Sequence, residues 1–381
     1  MRIGVVAGEA SSDLLGAGLL RTLSNCTIDD IKVEGIVGPM MKEEGAESLF
    51  PVSDISLIGV DGLISNFQRL LRIRRNLYRH YCADPPDLFI GIDLPDFNLG
   101  LEHRLRRAGI RTVHYVSPTV WAWRSWRIRK IRQAVDHMLV LFPFEAEYYK
   151  QHGVPVTFVG HPAADTIPTD SKHNIRELLG IRSIKKVVTL LPGSREREVA
   201  SLGAHFLEAA VLLNTSEPDI TFCVAYSSEE AKNIFRQQMS AMSLSIPLYE
   251  FDGNSMNVMA ASDAVLLASG TAALEAAMLG KPMVVAYKVS PASYQIARWV
   301  ATTDFVSMPN NLGAGQVVPE VLQADVSGAR LAKELQLILA DSERNKMMIK
   351  ALRELCKDLK NNANEVAATK IMQLHQSWNI S

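Results

Sequence analysis

A tight turn in the second half of the chain carries residues suited to a phosphorylated ligand. The sequence predicts a buried strand over Asp263–Ala268, a Ser269-Gly270-Thr271 turn, and a helix from Ala272. Such a turn leaves free N–H groups at the positive end of a helix dipole, which suits phosphate. Glu275, one turn into the helix, is placed to bind a pair of ribose hydroxyls. An ordinary strand–turn–helix of an α/β protein is the alternative.

Arg195 lies in a second turn of the same kind. Lys186–Leu191 predicts a strand, Pro192-Gly193-Ser194 a turn, and Val199–Leu213 a helix. The rigid fork of the arginine guanidinium suits bidentate contacts with phosphate oxygens. This turn therefore adds a fixed cation to the candidate phosphate site.

Asp93 directly follows the buried strand Asp87–Ile92. In open α/β sheets, the carboxyl ends of strands line the ligand crevice, so this carboxylate is placed where chemistry occurs. Pro95 predicts an extended Leu94. Asp96 is a weaker candidate, since its position before a helix predicted at residues 99–108 is also typical of a turn or N-cap.

Three further segments contain candidate residues. Gly8-Glu9-Ala10-Ser11-Ser12-Asp13 links the strand Arg2–Ala7 to a helix, and it lacks the GxGxxG fingerprint of dinucleotide-binding turns. Three tryptophans at positions 121, 123 and 126 are interleaved with arginines, a composition that serves sugar stacking, interfacial anchoring or core packing. His161 follows another strand, where phosphate contact and a structural role are both open.

The elements that position these residues alternate between strand and helix in two successive series, which predicts two doubly wound α/β halves. The most polar mid-chain stretch, residues 166–174, separates them. We therefore expect domains at residues 1–168 and 169–340, then a helical tail over 341–381. Residues 303–313 read as a loop.

The segment 58–81 differs from its surroundings, because an apolar stripe is combined with five arginines in eleven residues. That composition is typical of a helix lying in a membrane interface. The alternative is a crossover helix whose stripe packs on the sheet. The residues expected to dock on a membrane are Leu63, Phe67, Arg69, Leu70, Leu71, Arg72 and Arg75.

Composition excludes several function classes. The chain has 381 residues, of which 48% are hydrophobic, and a net charge of −1, so no overall field favours nucleic acid. Its four cysteines show no paired spacing, which favours a reduced, cytoplasmic compartment over a disulfide framework or a zinc site. No signal peptide is evident, and no apolar run approaches the roughly 18–20 residues of a membrane span.

Taken together, the motifs closely resemble those of bacterial lipid-A-disaccharide synthases. In chain order they are VAGEASSD, GIDLPDFN, HYVSPTVWAWR, GHPAAD, LLPGSR, ASGTAALE and VSMPNNLG. The resemblance is collinear from Met1 to about Gln323. It implies the GT-B glycosyltransferase fold, with two Rossmann-like domains facing across a cleft and C-terminal helices.

The resemblance also implies an inverting reaction in lipid A biosynthesis. UDP-2,3-diacylglucosamine would transfer its sugar to 2,3-diacylglucosamine 1-phosphate (lipid X), giving the β-1,6-linked disaccharide 1-phosphate and UDP. Family members attach peripherally to the cytoplasmic face of the inner membrane and form dimers with exchanged C-terminal helices. The tail over 341–381 is therefore expected to pack back on the N-terminal domain or on a dimer partner. No metal or other cofactor is expected.

Matching motif positions imply the residue roles. Asp93 matches the general base and Arg195 an arginine needed for activity. Donor binding is implied for Gly193, Ser194, Arg195, Ser269, Gly270, Thr271, Ala272, Glu275 and Asn310. Acceptor-side candidates are Glu9, Ser11, Ser12, Asp96 and Trp121.

Two departures from the family pattern and two rival functions remain. Ser12 stands where the family usually has glycine, which would reshape the loop if that position were left-handed. Glu196-Arg197 adds a charge pair beside Arg195. The rivals are a UDP-N-acetylglucosamine 2-epimerase-like isomerase on the same fold, and a non-catalytic, nucleotide-regulated membrane adaptor.

Overall fold

The chain forms two compact units, one of which is discontinuous in sequence. Unit 1 comprises Met1–Asp165 and Asp358–Ser381, and unit 2 comprises Thr166–Lys357. The computed structural model describes residues 1–26, 30–56, 63–118, 120, 127–182, 186–242, 246–290, 294–295, 303–313, 315–340 and 343–379.

Unit 1 is built on a seven-stranded, fully parallel sheet in the order β3-β2-β1-β4-β5-β6-β7. Its strands are β1 Arg2–Ala7, β2 Lys32–Ile36, β3 Glu47–Ser48, β4 Leu88–Ile92, β5 Thr112–Tyr115, β6 His137–Val140 and β7 Val156–Phe158. Its helices before residue 166 are α1 Ala10–Cys26, α2 Pro39–Glu43, α3 Ser53–Ser56, α4 Leu63–Ala83, α5 Pro95–Arg107, α6 Ile128–Ala134, α7 Pro143–Gln151 and α8 Pro162–Asp165.

Unit 2 repeats this plan with a six-stranded parallel sheet in the order β10-β9-β8-β11-β12-β13. Its strands are β8 Val187–Leu191, β9 Thr221–Tyr226, β10 Leu248–Asp252, β11 Ala264–Ala268, β12 Met283–Tyr287 and β13 Glu320–Leu322. Its helices are α9 Lys172–Leu178, α10 Glu196–Ser216, α11 Glu229–Ala241, α12 Ser255–Ala261, α13 Thr271–Met278, α14 Met308–Leu312, α15 Gly328–Leu339 and α16 Glu343–Cys356.

The central strands read as continuous apolar runs because both faces of each sheet are covered by helices. All five residues of β4, β8 and β11 are buried, as expected for parallel sheets. Burying these runs supplies the cores, and the candidate polar residues follow where the strands end.

The C-terminal segment is divided between the units. The predicted tail began at residue 341, but α16 packs on α13 and α14 of unit 2. The last helix, α17 Ala363–Asn379, returns to unit 1 and packs on α1. The predicted helical tail therefore does not act as one body.

The motif GHPAAD at residues 160–165 holds the start of this returning segment. The carboxylate of Asp165 accepts hydrogen bonds from the N–H groups of Asn361, Asn362 and Ala363 (3.1, 3.0 and 2.7 Å). Gly160 has φ 92°, and a Cβ there would lie 2.6 Å from the Asn361 Cβ. Glycine is needed both for that backbone conformation and for the close approach.

His161 belongs to the same contact. Its N–H donates to the Leu359 carbonyl at 2.8 Å, and its ring Nδ1 lies 3.2 Å from the Ala163 N–H. Burial lowers the pKa of His161 to about 4, so the ring is neutral at physiological pH. These contacts favour the structural interpretation of His161 over phosphate binding.

Candidate active site

The candidate donor residues of unit 2 meet where the strand order of its sheet reverses. β8 and β11 are neighbours, and the chain proceeds from them toward opposite edges of the sheet. Their carboxyl ends lead into the turns at residues 192–195 and 269–270. Such a switch point is where open α/β sheets bind ligands.

The Ser269-Gly270-Thr271 turn presents the amino end of α13. Gly270 is the exposed N-cap, and α13 begins at Thr271. Among the described residues, no group accepts a hydrogen bond from the N–H of Thr271 or Ala272. These two donors and the helix dipole are therefore available to a phosphate.

Glu275 lies on the second turn of α13 and is only partly accessible. Burial raises the pKa of its carboxyl above the ordinary value. No described residue forms an ion pair or side-chain hydrogen bond with it, so both oxygens are free to accept hydrogen bonds from hydroxyl groups.

A carboxylate on the first turn of α10, that of Glu198, holds the turn that precedes this helix. Its role was not predicted from the sequence. Glu198 Oε2 accepts hydrogen bonds from the N–H groups of Ser194 (3.0 Å) and Arg195 (3.3 Å). The donors expected to meet phosphate at Gly193 and Ser194 are thus partly used inside the turn. The exposed guanidinium of Arg195 is the group this turn offers to an anion. The sequence signal for Glu198 is an acid three residues after the N-cap.

Glu196 and Arg197 lie in the first turn of α10, and both side chains are exposed. This charge pair therefore sits beside Arg195 on the surface of the unit, as the sequence comparison with the family pattern suggested.

Asn310 is a buried positioning residue in this structure. Its Oδ1 accepts from the N–H groups of Val317 (2.7 Å) and Val318 (2.8 Å). Its Nδ2 donates to the Val318 carbonyl (2.9 Å) and to Glu320 Oε1 (2.7 Å). Both polar atoms of the Asn310 side chain are therefore engaged within the loop that it holds.

Glu320, at the start of β13, also holds that loop. Its role was likewise not predicted from the sequence. Its carboxylate accepts from the N–H groups of Val306 and Ser307, each at 3.0 Å, and from Ser307 Oγ at 2.6 Å. The Val306 carbonyl in turn accepts the hydroxyl of Ser269 at 2.8 Å. Glu320 thus anchors the loop against the Ser269-Gly270-Thr271 turn. The region predicted as a loop contains α14, which Pro309 helps to begin.

Asp93 lies at the corresponding switch point of unit 1, where β1 and β4 are neighbours. Asp93 and Leu94 both have left-handed backbone angles, φ 52° and 47°. That conformation costs roughly 1–2 kcal/mol at each non-glycine residue. Among the described residues, none donates a hydrogen bond to the Asp93 carboxylate, which is half-buried.

Two expectations about this segment are corrected. Leu94 is not extended, and α5 begins at Pro95 instead of near residue 99. The left-handed pair turns the chain from strand to helix within two residues, which places the Leu94 carbonyl to accept from the N–H groups of Phe97 and Asn98, each at 3.0 Å. Proline is favourable as the first helical residue because it needs no acceptor.

Asp96 is not an N-cap. It lies in the first turn of α5, where a negative charge is favourable, and it forms an ion pair with Arg127 at the start of α6. The position of Trp121 lies outside the described residues.

The turn after β1 contacts the turn after β4. A Cβ on Gly8 would lie 2.4 Å from a terminal methyl of Leu94, so a larger residue there would displace the Leu94 side chain. Glu9 precedes α1, and the hydroxyl of Ser12 donates to its carbonyl (2.8 Å) and accepts from its N–H (2.9 Å). Ser12 is helical, so the left-handed backbone considered for this position does not occur. Ser11 is exposed at the same turn.

Helix α4 divides its residues between the core and the surface. Ile73, Leu77 and Tyr81 are buried, and Leu70 packs against the same core cluster. The prediction that Leu70 docks on a membrane is therefore wrong, because its side chain packs on the core. Leu71 is 39% exposed, and Arg69, Arg72 and Arg75 are exposed, with Arg69 paired to Asp54. The side chains of Leu63 and Phe67 lie outside the described residues.

The described part of the chain contains no group of three or more histidine, cysteine or acidic side chains arranged to hold a metal ion. Within the same residues, no helix is both long and apolar enough to cross a lipid bilayer.

Comparison with known proteins gives full-length matches. A family model described as lipid-A-disaccharide synthetase matches residues 3–371. Lipid-A-disaccharide synthase of Hahella chejuensis is 42% identical over 100% of this chain and 96% of its own length. The synthase of Azotobacter vinelandii is 44% identical over 98% of both chains.

The solved structures that resemble this chain show the fold. UDP-GlcNAc 2-epimerase from Neisseria meningitidis, bound to UDP-GlcNAc, superposes with a TM-score of 0.66 at 12% identity, covering 99% of this chain and 100% of its own. The epimerase of Methanocaldococcus jannaschii gives a TM-score of 0.61 at 12% identity, with the same coverage. These two-domain α/β enzymes confirm the predicted fold class.

Proposed function

The chain belongs to the lipid-A-disaccharide synthase family, and we propose that it acts through a general base in unit 1 and a diphosphate site in unit 2. As a member of that family it is a glycosyltransferase that makes the lipid A disaccharide from a nucleotide-sugar and a lipid. Relatives 42–44% identical are synthases, so the epimerase and adaptor alternatives are not favoured.

We propose UDP-2,3-diacylglucosamine as the donor and lipid X as the acceptor. In the inverting displacement, the acceptor 6-hydroxyl attacks the anomeric carbon as the bond to the UDP oxygen breaks. The Asp93 carboxylate accepts the hydroxyl proton. Its unpaired oxygens at a strand end, described above, support this role.

The departing UDP carries the developing negative charge. Arg195 and the N–H groups of Thr271 and Ala272 are the groups that would stabilise it, at the switch point between β8 and β11. Glu275 would accept hydrogen bonds from the ribose, while Asn310 and Glu320 hold the adjoining loop.

The observation that carries this assignment is that each unit has candidate residues at the switch point of its own sheet: Asp93 in unit 1, and Arg195 with the α13 turn in unit 2. Asp93→Asn should lower kcat by about 10²–10⁴-fold, the range for loss of a general base. UDP binding, measured by calorimetry, should be unchanged because the donor residues lie in unit 2. Equal loss of UDP affinity, or full turnover by the variant, would refute the assignment.

We also propose a reaction that needs no metal, since an arginine and a helix N-terminus can offset the diphosphate charge. Turnover should be unaffected by excess EDTA. A loss that added Mg²⁺ restores would contradict this.

The enzyme is further proposed to sit on the cytoplasmic face of the inner membrane, with Leu71 and its basic neighbours on α4 against the lipid surface. A homodimer with exchanged C-terminal helices is proposed as well, in which α17 of one copy makes the α1 contact of another.

A further inference from the structure

The candidate base occupies a backbone conformation that needs support. Asp93 and Leu94 are consecutive non-glycine residues in the left-handed region. Left-handed residues other than glycine persist only where the surrounding structure determines them. Since the backbone angles fix the direction of the Cα–Cβ bond, whatever holds them also aims the carboxylate.

Asn98 is placed to supply that support. Its side chain is fully buried on the first turn of α5. Its Nδ2 donates to the Asp93 carbonyl at 2.7 Å, and lies 3.3 and 3.4 Å from the carbonyls of Val6 and Ile92. The side-chain amide of Asn98 therefore links the Asp93 carbonyl to the carboxyl ends of β4 and β1.

The other side of the Asp93 peptide is held independently. Its N–H donates to the Tyr115 carbonyl of β5 at 2.8 Å. Asp93 is thus fixed at its N–H by the neighbouring strand and at its carbonyl by Asn98. Only the second of these contacts comes from a side chain that substitution can remove.

We propose that Asn98 is a positioning residue for the Asp93 base, holding its left-handed backbone so that the carboxylate faces the acceptor. This rests on the proposed role of Asp93. A purely structural role for Asn98, such as satisfying strand-end carbonyls, predicts lower stability but normal turnover by each folded molecule.

The test is a double-variant cycle. Asn98→Leu keeps the approximate volume and removes the donor. A misplacement on the scale of 1 Å can cost about 10²-fold in rate, so kcat should fall by about 10- to 100-fold. The affinity for UDP, which reports on unit 2, should be unchanged. In the Asp93→Asn background, the same change should cost less than about 3-fold, because there is no base left to misplace.

Asn364→Leu is the matched control. It makes the same chemical change at a residue on α17 of the same unit. The Asn364 side chain lies beside Gly18 of α1. Its kcat should stay within about 2-fold of the unmodified enzyme after correction for the folded fraction, measured by thermal unfolding. If Asn98→Leu fails to fold, Asn98→Ser, which is smaller and still polar, takes its place in the cycle.

The outcomes distinguish a failure of the positioning role of Asn98 from a failure of the base assignment of Asp93. Losses that multiply in the double variant, or a folded Asn98 variant with normal kcat, would overturn the positioning role while leaving Asp93 as the base. Full activity of Asp93→Asn would instead overturn the base assignment, and the inference would fall with it.

Discussion

Burial changes the acid–base properties of Glu275, the residue proposed to bind the ribose. Its carboxyl is partly buried and has a raised pKa, yet the ribose hydroxyls would need the ionised form as acceptor. As the pH falls through that raised pKa, the carboxylate is protonated and loses acceptor capacity. The affinity for UDP should therefore weaken at a higher pH than an ordinary glutamate would allow.

Calorimetric titration of UDP across the acidic range tests this prediction. Glu275→Gln should weaken binding by about 10-fold at neutral pH, the equivalent of roughly 1.5 kcal/mol for a hydrogen bond to a charged group. Its affinity should then vary less with pH. If the variant shows the same decline as the unmodified protein, another group controls the titration.

Some site residues follow from sequence and others do not, for a physical reason. Asp93 and the 269–271 turn stand directly after buried strands, so strand-end geometry predicts their location. The Glu320 carboxylate accepts hydrogen bonds and the Asn98 amide donates them. In both cases the partners are set by the path of the folded chain. No local pattern marks them, because an acid or amide in the same position can equally face solvent.

Helix α4 shows how one element can serve both core and surface. Its apolar stripe splits, with Ile73, Leu77 and Tyr81 buried and Leu71 accessible. The crossover-helix alternative thus accounts for the C-terminal part of the stripe. That alternative does not account for the exposed arginines. A basic face with an accessible leucine is the composition that anionic lipids attract.

A triple variant tests the proposed membrane contact. Leu71→Ser with Arg72→Glu and Arg75→Glu should reduce flotation with vesicles containing phosphatidylglycerol, because both the apolar and the electrostatic attraction are lost. Thermal stability should change little, since these side chains are exposed. The matched control is Lys333→Glu with Leu337→Ser, on the surface of α15. Unchanged flotation of the triple variant would contradict the proposal.

Element boundaries were harder to predict than the elements themselves. Strand–helix alternation identified both sheets, since buried parallel strands and amphipathic helices have distinct periods. The start of α5 was misplaced because the left-handed pair before Pro95 is stabilised by tertiary contacts, such as Leu94 against Gly8. The short helix α14 was missed for the same reason, as the Asn310–Glu320 contacts hold it.

At the scale of the molecule, the Asp165 carboxylate is one of the groups that hold the start of the segment returning to unit 1. Asp165 accepts three backbone hydrogen bonds at the start of that segment. Asp165→Ala should cost about 0.5–2 kcal/mol, as for loss of a helix cap, and lower the unfolding temperature of unit 1 by a few degrees. Asp170→Ala, an exposed position in unit 2, should have no effect.

The same segment provides the test of the exchanged dimer. Light scattering should give a mass twice that of the 42.1-kDa chain, and deletion of residues 358–381 should leave a monomer. A 42.1-kDa mass for the full chain at every concentration tested would contradict exchange of α17 between copies.

The discontinuity of unit 1 has a consequence during biosynthesis. Residues 1–165 leave the ribosome before unit 2, but the helix that covers α1 follows unit 2 in the sequence and emerges after it. At about 5–20 residues per second, translation of unit 2 takes roughly 10–40 s. Throughout that interval, the face of α1 that α17 covers in the folded unit lacks this helix, which arrives later from the same chain or is supplied by a neighbouring copy on the same polysome.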